Sequence, residues 1–193
     1  MKLFMLLLGC RPKGRFTEQH DIFFGIAKSL KELVPYIIDH WPEAKGKIHI
    51  DAWREVNFAN GFLVNVIERT QDIELRENDV SLFFVNLGGY KAGEFDEFHY
   101  KMIIAEKDVR SAQRQAMKHA FFKHNTLPKS DLHYKAGAHV DDKYGLDVDD
   151  LYNIKDILPL EMKSRYALKL VPAIHHVEDP VHLGYLKLTD LDD

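Results

Sequence analysis

Cysteine is almost absent from this chain: Cys10 is the single one in 193 residues. That excludes an intrachain disulfide and fits a reducing, cytoplasmic setting. Long apolar runs are also missing. None approaches the roughly 18–20 residues that span a bilayer, so no membrane partner is expected. Nor is there a large excess of charge of one sign. The formal net charge of −4 argues against nucleic acid and against a general attraction to an anionic membrane. What remains is ordinary for a folded chain, with 46% hydrophobic and 29% charged residues and enough length for one or two cores.

The opening stretch, KLFMLLLGC (Lys2–Cys10), has two readings. One is an export signal cut ahead of a lipidated cysteine. Its apolar core, Leu3 to Leu8, sits at the lower limit of the roughly 7–15 residues such signals need. The other is a buried strand, and the rest of the chain favours it. Leu3, Phe4, Leu8, Gly9, Gly14, Phe16, Glu18 and His20 recur as Leu82, Phe83, Leu87, Gly88, Gly93, Phe95, Glu97 and His99, each 79 residues on. Average composition would give about one such match by chance over this span. A segment with an internal copy is not expected to be a cleavable leader.

The repeat extends further. Lys2–Gly9 reads as a strand and Cys10–Phe16 as a loop containing Pro12 and Gly14. Thr17 is a good N-cap, and Ile22, Phe23, Ile26, Leu30, Leu33, Val34, Ile37 and Ile38 follow the helical period, so a helix is expected from Thr17 to Trp41, with Pro35 as a possible kink. Lys47–Val56 and Gly61–Glu68 read as strands, with Asn60-Gly61 as a turn. In the second copy Asp96 is the N-cap and a helix is expected over 97–122. Ala138-His139-Val140-Asp141 then matches Ile48-His49-Ile50-Asp51 at an offset of 90, which implies an 11-residue insertion near KHNTLPKSDLHYK. At that same offset Tyr152 matches Phe62 and Ile154 matches Val64. RYALKLVPA and GYLKLTD could each add a strand, and the acidic tip is expected to fray. The expected fold is α+β: two tandem strand-helix-strand-strand repeats related by a pseudo-two-fold, plus a C-terminal extension. The boundaries are 1–68 for the first repeat, 69–79 for a charged linker, 80–157 for the second repeat and 158–193 for the extension.

Leu8, Gly9, Gly14, Glu18, His20, Asp21, Phe24, His49, Ile50 and Asp51, with second-copy partners Leu87, Gly88, Gly93, Glu97, His99, His139 and Asp141, make up a pattern of spaced glycines, E-x-H and a later H-x-D. In this pattern the chain resembles the bacterial domain-of-unknown-function family numbered 1543, over most of residues 1 to 157. Two departures stand out: Cys10 where the second copy has Gly89, and Tyr100 in place of Asp21. The resemblance implies one or two copies of the domain per member and no established activity.

The chemistry-bearing residues admit several readings. GCRPKGRF (9–16) has the glycine spacing of a phosphate-binding P-loop but lacks its Lys and Ser/Thr, and the second copy carries Glu94 there. Arg11, Lys13 and Arg15 would flank a helix N-terminus and could hold an anion, although a turn with solvated basic residues outweighs that. Gly9, Gly14, Glu18, His20, Gly88, Gly93, Glu97 and His99 are the candidate ligand-binding residues. His20, His49, Asp51, His99, His139 and Asp141 are the candidate metal ligands. His49 and Asp51, two apart on a strand, share a face, and so do His139 and Asp141. Two histidines and two carboxylates suit Zn²⁺ or a non-haem metal, or a carboxylate-oriented histidine base. Internal hydrogen bonds that hold each repeat together are the weightier alternative. The His175-His176-Val177-Glu178 tract with His182 reads as a loop, and Arg110, Arg114 and Lys118 as a solvated basic face.

These observations lead to a cytoplasmic module that binds an unknown small molecule or protein, with its functional surface where the two glycine loops and helix N-termini approach each other. The cofactor is unknown. The rivals are a metal-dependent enzyme using the repeated His and carboxylate residues, and a structural protein whose strand edges form a homo-oligomer.

Overall fold

The computed structural model of the chain describes residues 1–69, 80–89, 91, 93–118, 151–174 and 178–191, and the main chain of 139–140. They fall into two compact units, one made of Met1–Glu74 with Ile157–Asp193 and the other of Leu75–Asp156. Helices and antiparallel sheets occur together, an α+β fold.

In the first unit, β1 (Lys2–Cys10) pairs along its whole length with β2 (Gln19–Ala27), from Lys2 opposite Ala27 to Cys10 opposite Gln19. The helix expected from Thr17 to Trp41 is therefore a strand over its first half. A 3-10 turn at Lys31–Leu33 and helix α1 (Val34–His40) follow, with Pro35 in the first turn, where its missing N–H costs nothing. The misreading has a physical cause. Phe23 to Ala27 are all buried, so β2 shows no alternation of apolar and polar residues, and a continuous apolar run looks alike in helix and strand. One side of β2 is packed by the 3-10 turn and α1, and the Met162 sulfur accepts a hydrogen bond from the Ile26 N–H at 3.1 Å.

On its other edge β1 pairs with β3 (His49–Glu55), which pairs in turn with β11 (His182–Lys187), giving the order β11-β3-β1-β2. A second sheet, β10-β5-β4, joins β4 (Phe58–Ala59) and β5 (Phe62–Glu68) to β10 (Tyr166–Pro172). Asn60 (φ 27°) and Gly61 (φ 97°) form the two-residue turn of the β4–β5 hairpin, as Asn-Gly predicts. RYALKLVPA and GYLKLTD both contribute strands, and these complete the sheets of the first unit.

In the second unit β6 (Ser81–Gly89) pairs with β7 (Phe98–Glu106), from Ser81 opposite Glu106 to Gly89 opposite Phe98. Both strands lie 79 residues beyond β1 and β2, in the same register. Helix α2 (Val109–Ala116) follows; the helix expected over 97–122 is thus a strand from Phe98 to Glu106, as in the first unit. Thr17 and Asp96 precede strands and cap no helix. Asp108 is the N-cap of α2, its carboxylate accepting from the Ser111 N–H at 2.8 Å. Phe83, Val85, Leu87, Ile104, Ala112, Ala116 and Leu151 form the core. The far edge of β6 takes β8 (His139–Val140) and β9 (Leu151–Asn153). Gly88 lies opposite His139 as Gly9 lies opposite His49, which matches the offset of 90. Past this point the offset changes. Tyr152 lies opposite Phe84 as Arg54 lies opposite Met5, so Tyr152 is the counterpart of Arg54 and not of Phe62. Ile154 begins a short helix. The insertion near KHNTLPKSDLHYK, His175, His176 and the last two residues lie outside the described residues.

Candidate metal centre

Gly9 is the middle of the site because of its place in the sheet. On one side it pairs with His20 of β2, and on the other with His49 of β3. Residues directly opposite in antiparallel strands project from the same face, so both imidazoles rise beside a position with no side chain. Asp51 arrives by a different device. Leu8 pairs with Ile50 and Leu7 with Ala52, which leaves Asp51 as the extra residue of a β-bulge. β11 breaks register at the same point, between Leu183 opposite Ala52 and Leu186 opposite Ile50. A bulge re-aims its side chain, and here it turns the carboxylate toward the histidines. Glu18, just ahead of β2, supplies the second carboxylate.

The four side chains converge. His20 Nε2 is 3.3 Å from Asp51 Oδ2 and 3.7 Å from Glu18 Oε2. His49 Nε2 is 3.1 Å from Glu18 Oε1 and 3.2 Å from Asp51 Oδ1. One donor atom each from Glu18, His20 and Asp51 lie within 4.8 Å of one another. His49 borders this trio from the buried side, with its side chain 8% exposed against 45% for His20. Despite the short distances, His49 Nε2 and Asp51 Oδ2 are buried without a hydrogen-bond partner. Their separations suit hydrogen bonds but their directions do not. Buried polar atoms left without a hydrogen-bond partner inside a cluster of potential ligands are what a bound cation can satisfy. A Cβ on Gly9 would collide with Asp51 Oδ2 and His49 Nε2, so only glycine lets these two side chains close in over the strand.

Neighbouring residues frame the set. Tyr185 of β11 stacks on the His49 ring at 4.1 Å and 30°. Sequence reasoning missed it, because only the long-range pairing of β11 with β3 brings it there. His182 stacks on Trp53 at 3.9 Å. Asp21 is held to His40 at 3.0 Å, a link between β2 and α1. Cys10 follows Gly9 and so faces the opposite side of the sheet. Burial pushes its thiol up from the ordinary value, and the charge of Glu18 adds to this, with Lys47 opposing. A raised thiol is the reverse of an activated nucleophile.

The other candidates fall elsewhere. Gly14 (φ 86°) and Gly93 (φ 77°) are turn residues with open space around them. His20 stands on a strand, so no helix dipole acts on it. In the second unit Gly88 pairs with His99 and His139 as Gly9 pairs with His20 and His49. There the Asn86 side-chain NH₂ donates to His99 Nδ1 at 3.2 Å, where the first unit has Leu7 in place of Asn86. Glu97 immediately precedes β7. His139 is described by its main chain alone, and Asp141 lies outside the described residues.

Residues 15–66 match the model of a family described as Domain of Unknown Function (DUF1543). The span contains Glu18, His20, His49 and Asp51. No curated protein matches the chain. Among solved structures it is similar to the crystal structure of a protein Il1583 from Idiomarina loihiensis, at 20% identity and a TM-score of 0.55, over 97% of each chain. That likeness concerns the fold. No helix among the described residues is long and apolar enough to cross a membrane.

Proposed function

Taking residues 15–66 as a member of the DUF1543 family, we propose that the first unit is a divalent-metal-binding module. Its ligands are Glu18, His20 and Asp51, with His49 closing the set from below. The observation that carries this reading is the pair of buried, unpartnered atoms, His49 Nε2 and Asp51 Oδ2, brought together over a glycine whose missing side chain lets both approach the strand. Two imidazoles and two carboxylates form a nitrogen and oxygen donor set suited to Zn²⁺, Fe²⁺ or Mn²⁺. Hydrogen bonding within the repeat, the competing explanation, would leave these two atoms paired.

One feature favours a second reading, metal-dependent catalysis. Glu18 and His20 are nearly half exposed, so a bound ion would keep an open side for water or substrate. Catalysis requires the metal first, so both readings share one test. Chelator-stripped protein is titrated with Zn²⁺, Co²⁺ and Mn²⁺ by calorimetry, with Co²⁺ also followed by its visible spectrum. Stoichiometric binding is expected, weakened at least about ten-fold by His20→Ala and by His49→Ala in folded protein. Wild-type protein that takes up none of the three ions at about 100 μM, some hundred-fold above a micromolar Kd, overturns the proposal.

A further inference from the structure

The loop that joins β1 to β2 starts and ends at this site. Gly9 and Cys10 lead into it, and Glu18 leads out. Between them RPKGRFT (11–17) carries Arg11, Lys13 and Arg15 and no acidic residue. All three cations are exposed, and among the described residues none has a carboxylate partner. The Arg15 N–H donates to the Pro12 carbonyl at 3.2 Å, and Gly14 has φ 86°, which makes Pro12–Arg15 a type II turn. In the second hairpin the Glu94 N–H likewise donates to the Lys91 carbonyl, at 3.3 Å, and Gly93 has φ 77°. Its sequence, YKAGEFD (90–96), has Glu94 in place of Arg15 and Asp96 in place of Thr17. Its one lysine, Lys91, lies over the Phe98 ring at 4.1 Å. Among the described residues the first loop thus carries three cations without a carboxylate partner, whereas the second loop has a net negative charge in its sequence, so the hydrogen bond that closes each loop does not require the cations.

We propose that the metal-loaded first unit binds a phosphoryl oxyanion between the metal and the Arg11–Arg15 loop. This rests on the metal-binding reading above. A divalent ion would balance the two carboxylates of Glu18 and Asp51, leaving the three loop cations without a counter-charge. Arginine meets phosphate oxygens through paired N–H donors, and lysine adds a compact charge. The electrostatics make the two ligands cooperative: the metal removes the negative charge that would repel an anion, and by linkage the anion tightens the metal. Phe16, fully exposed between Arg15 and Thr17, offers an apolar surface to the organic part of a phosphate ester.

The test uses the full chain, metal-free or loaded with Zn²⁺ and cleared of excess metal. Inorganic phosphate and phenyl phosphate are titrated into each by calorimetry. The loaded protein is expected to bind phosphate at least about ten-fold more tightly than the metal-free protein. The exposed-loop variant R11A/K13A/R15A should keep its metal, bound as tightly or more so, and lose phosphate affinity by a similar factor. Tighter binding of phenyl phosphate, abolished by Phe16→Ala, identifies an ester as the ligand; equal binding identifies free phosphate. Loaded wild type that binds neither probe, or binds them no better than the triple variant, overturns the anion site and leaves the metal site standing. A wild type that binds no metal overturns both.

Discussion

Leu33 occupies the space that a side chain on Gly25 would need. A Cβ at Gly25 would come within 2.6 Å of Leu33 Cδ2 and 2.8 Å of Phe23 Cε1. Seventy-nine residues later the sizes are exchanged: Ile104 stands at the strand position and Ala112 at the helix position, both in one buried cluster. One contact is filled from the helical side in the first unit and from the strand side in the second. Gly25→Ile alone should cost about 1–3 kcal/mol by overpacking. Leu33→Ala alone should cost about 2–5 kcal/mol through the cavity it leaves. The double variant should lose clearly less than the sum, because isoleucine fills the space leucine vacates. Urea unfolding of the four proteins measures this, and strict additivity would show that the two positions are not coupled.

Gly9→Ala tests the cradle directly. The added methyl would meet Asp51 Oδ2 and His49 Nε2. Metal affinity should fall by at least about ten-fold, as it does when the groups that orient ligands are disturbed. The strand itself should tolerate alanine, so circular dichroism should stay near that of the wild type. Unchanged metal affinity in this variant would show that the ion does not sit over Gly9.

The buried Cys10 thiol makes stability depend on alkaline pH. Its folded-state value is raised above the ordinary 9.0, first by burial and then by the charge of Glu18. The folded state therefore holds this proton more tightly than the unfolded state does. The contribution is complete below pH 9.0 and is lost as pH rises through the raised value. Alkylation of Cys10 at pH 8 should also be slow until denaturant is added. Rapid alkylation of the native protein would contradict this placement. Cys10→Ala should flatten the alkaline fall in stability.

Asp108 tethers the start of α2, and its carboxyl lies below the ordinary 3.8 because it accepts the Ser111 backbone N–H. Its stabilisation is full above pH 3.8 and is lost as pH falls through the lowered value. Asp108→Ala should speed hydrogen exchange of the α2 amides at neutral pH, and Asp108→Asn should restore much of the protection. If the alanine variant exchanges like the wild type, the cap does not hold this helix.

Much of the architecture is written in short-range patterns. The 79-residue offset located β6 from β1, because glycine-terminated apolar strands keep their register when copied. Asn60-Gly61 marked its hairpin, since few other dipeptides accept positive φ at both positions. Glu18, His20, His49 and Asp51 stood out by residue type and by their recurrence. β2 was not legible, because burial on both sides erased the alternation that separates strand from helix. The shift that makes Tyr152 the counterpart of Arg54 also escaped the pattern, since it follows a stretch where the two copies differ in length.

The sequence by itself determined which side chains recur, where β1 and β6 run, and that the first hairpin loop is basic while the second is acidic. These are local properties of composition and spacing. Only the tertiary structure decided that His20 and His49 flank Gly9 from opposite strands, that a bulge turns Asp51 toward them, and that Tyr185 covers His49. Each of these depends on which strands pair and in what register. Register comes from the summed burial of distant residues, so no single stretch of sequence contains it.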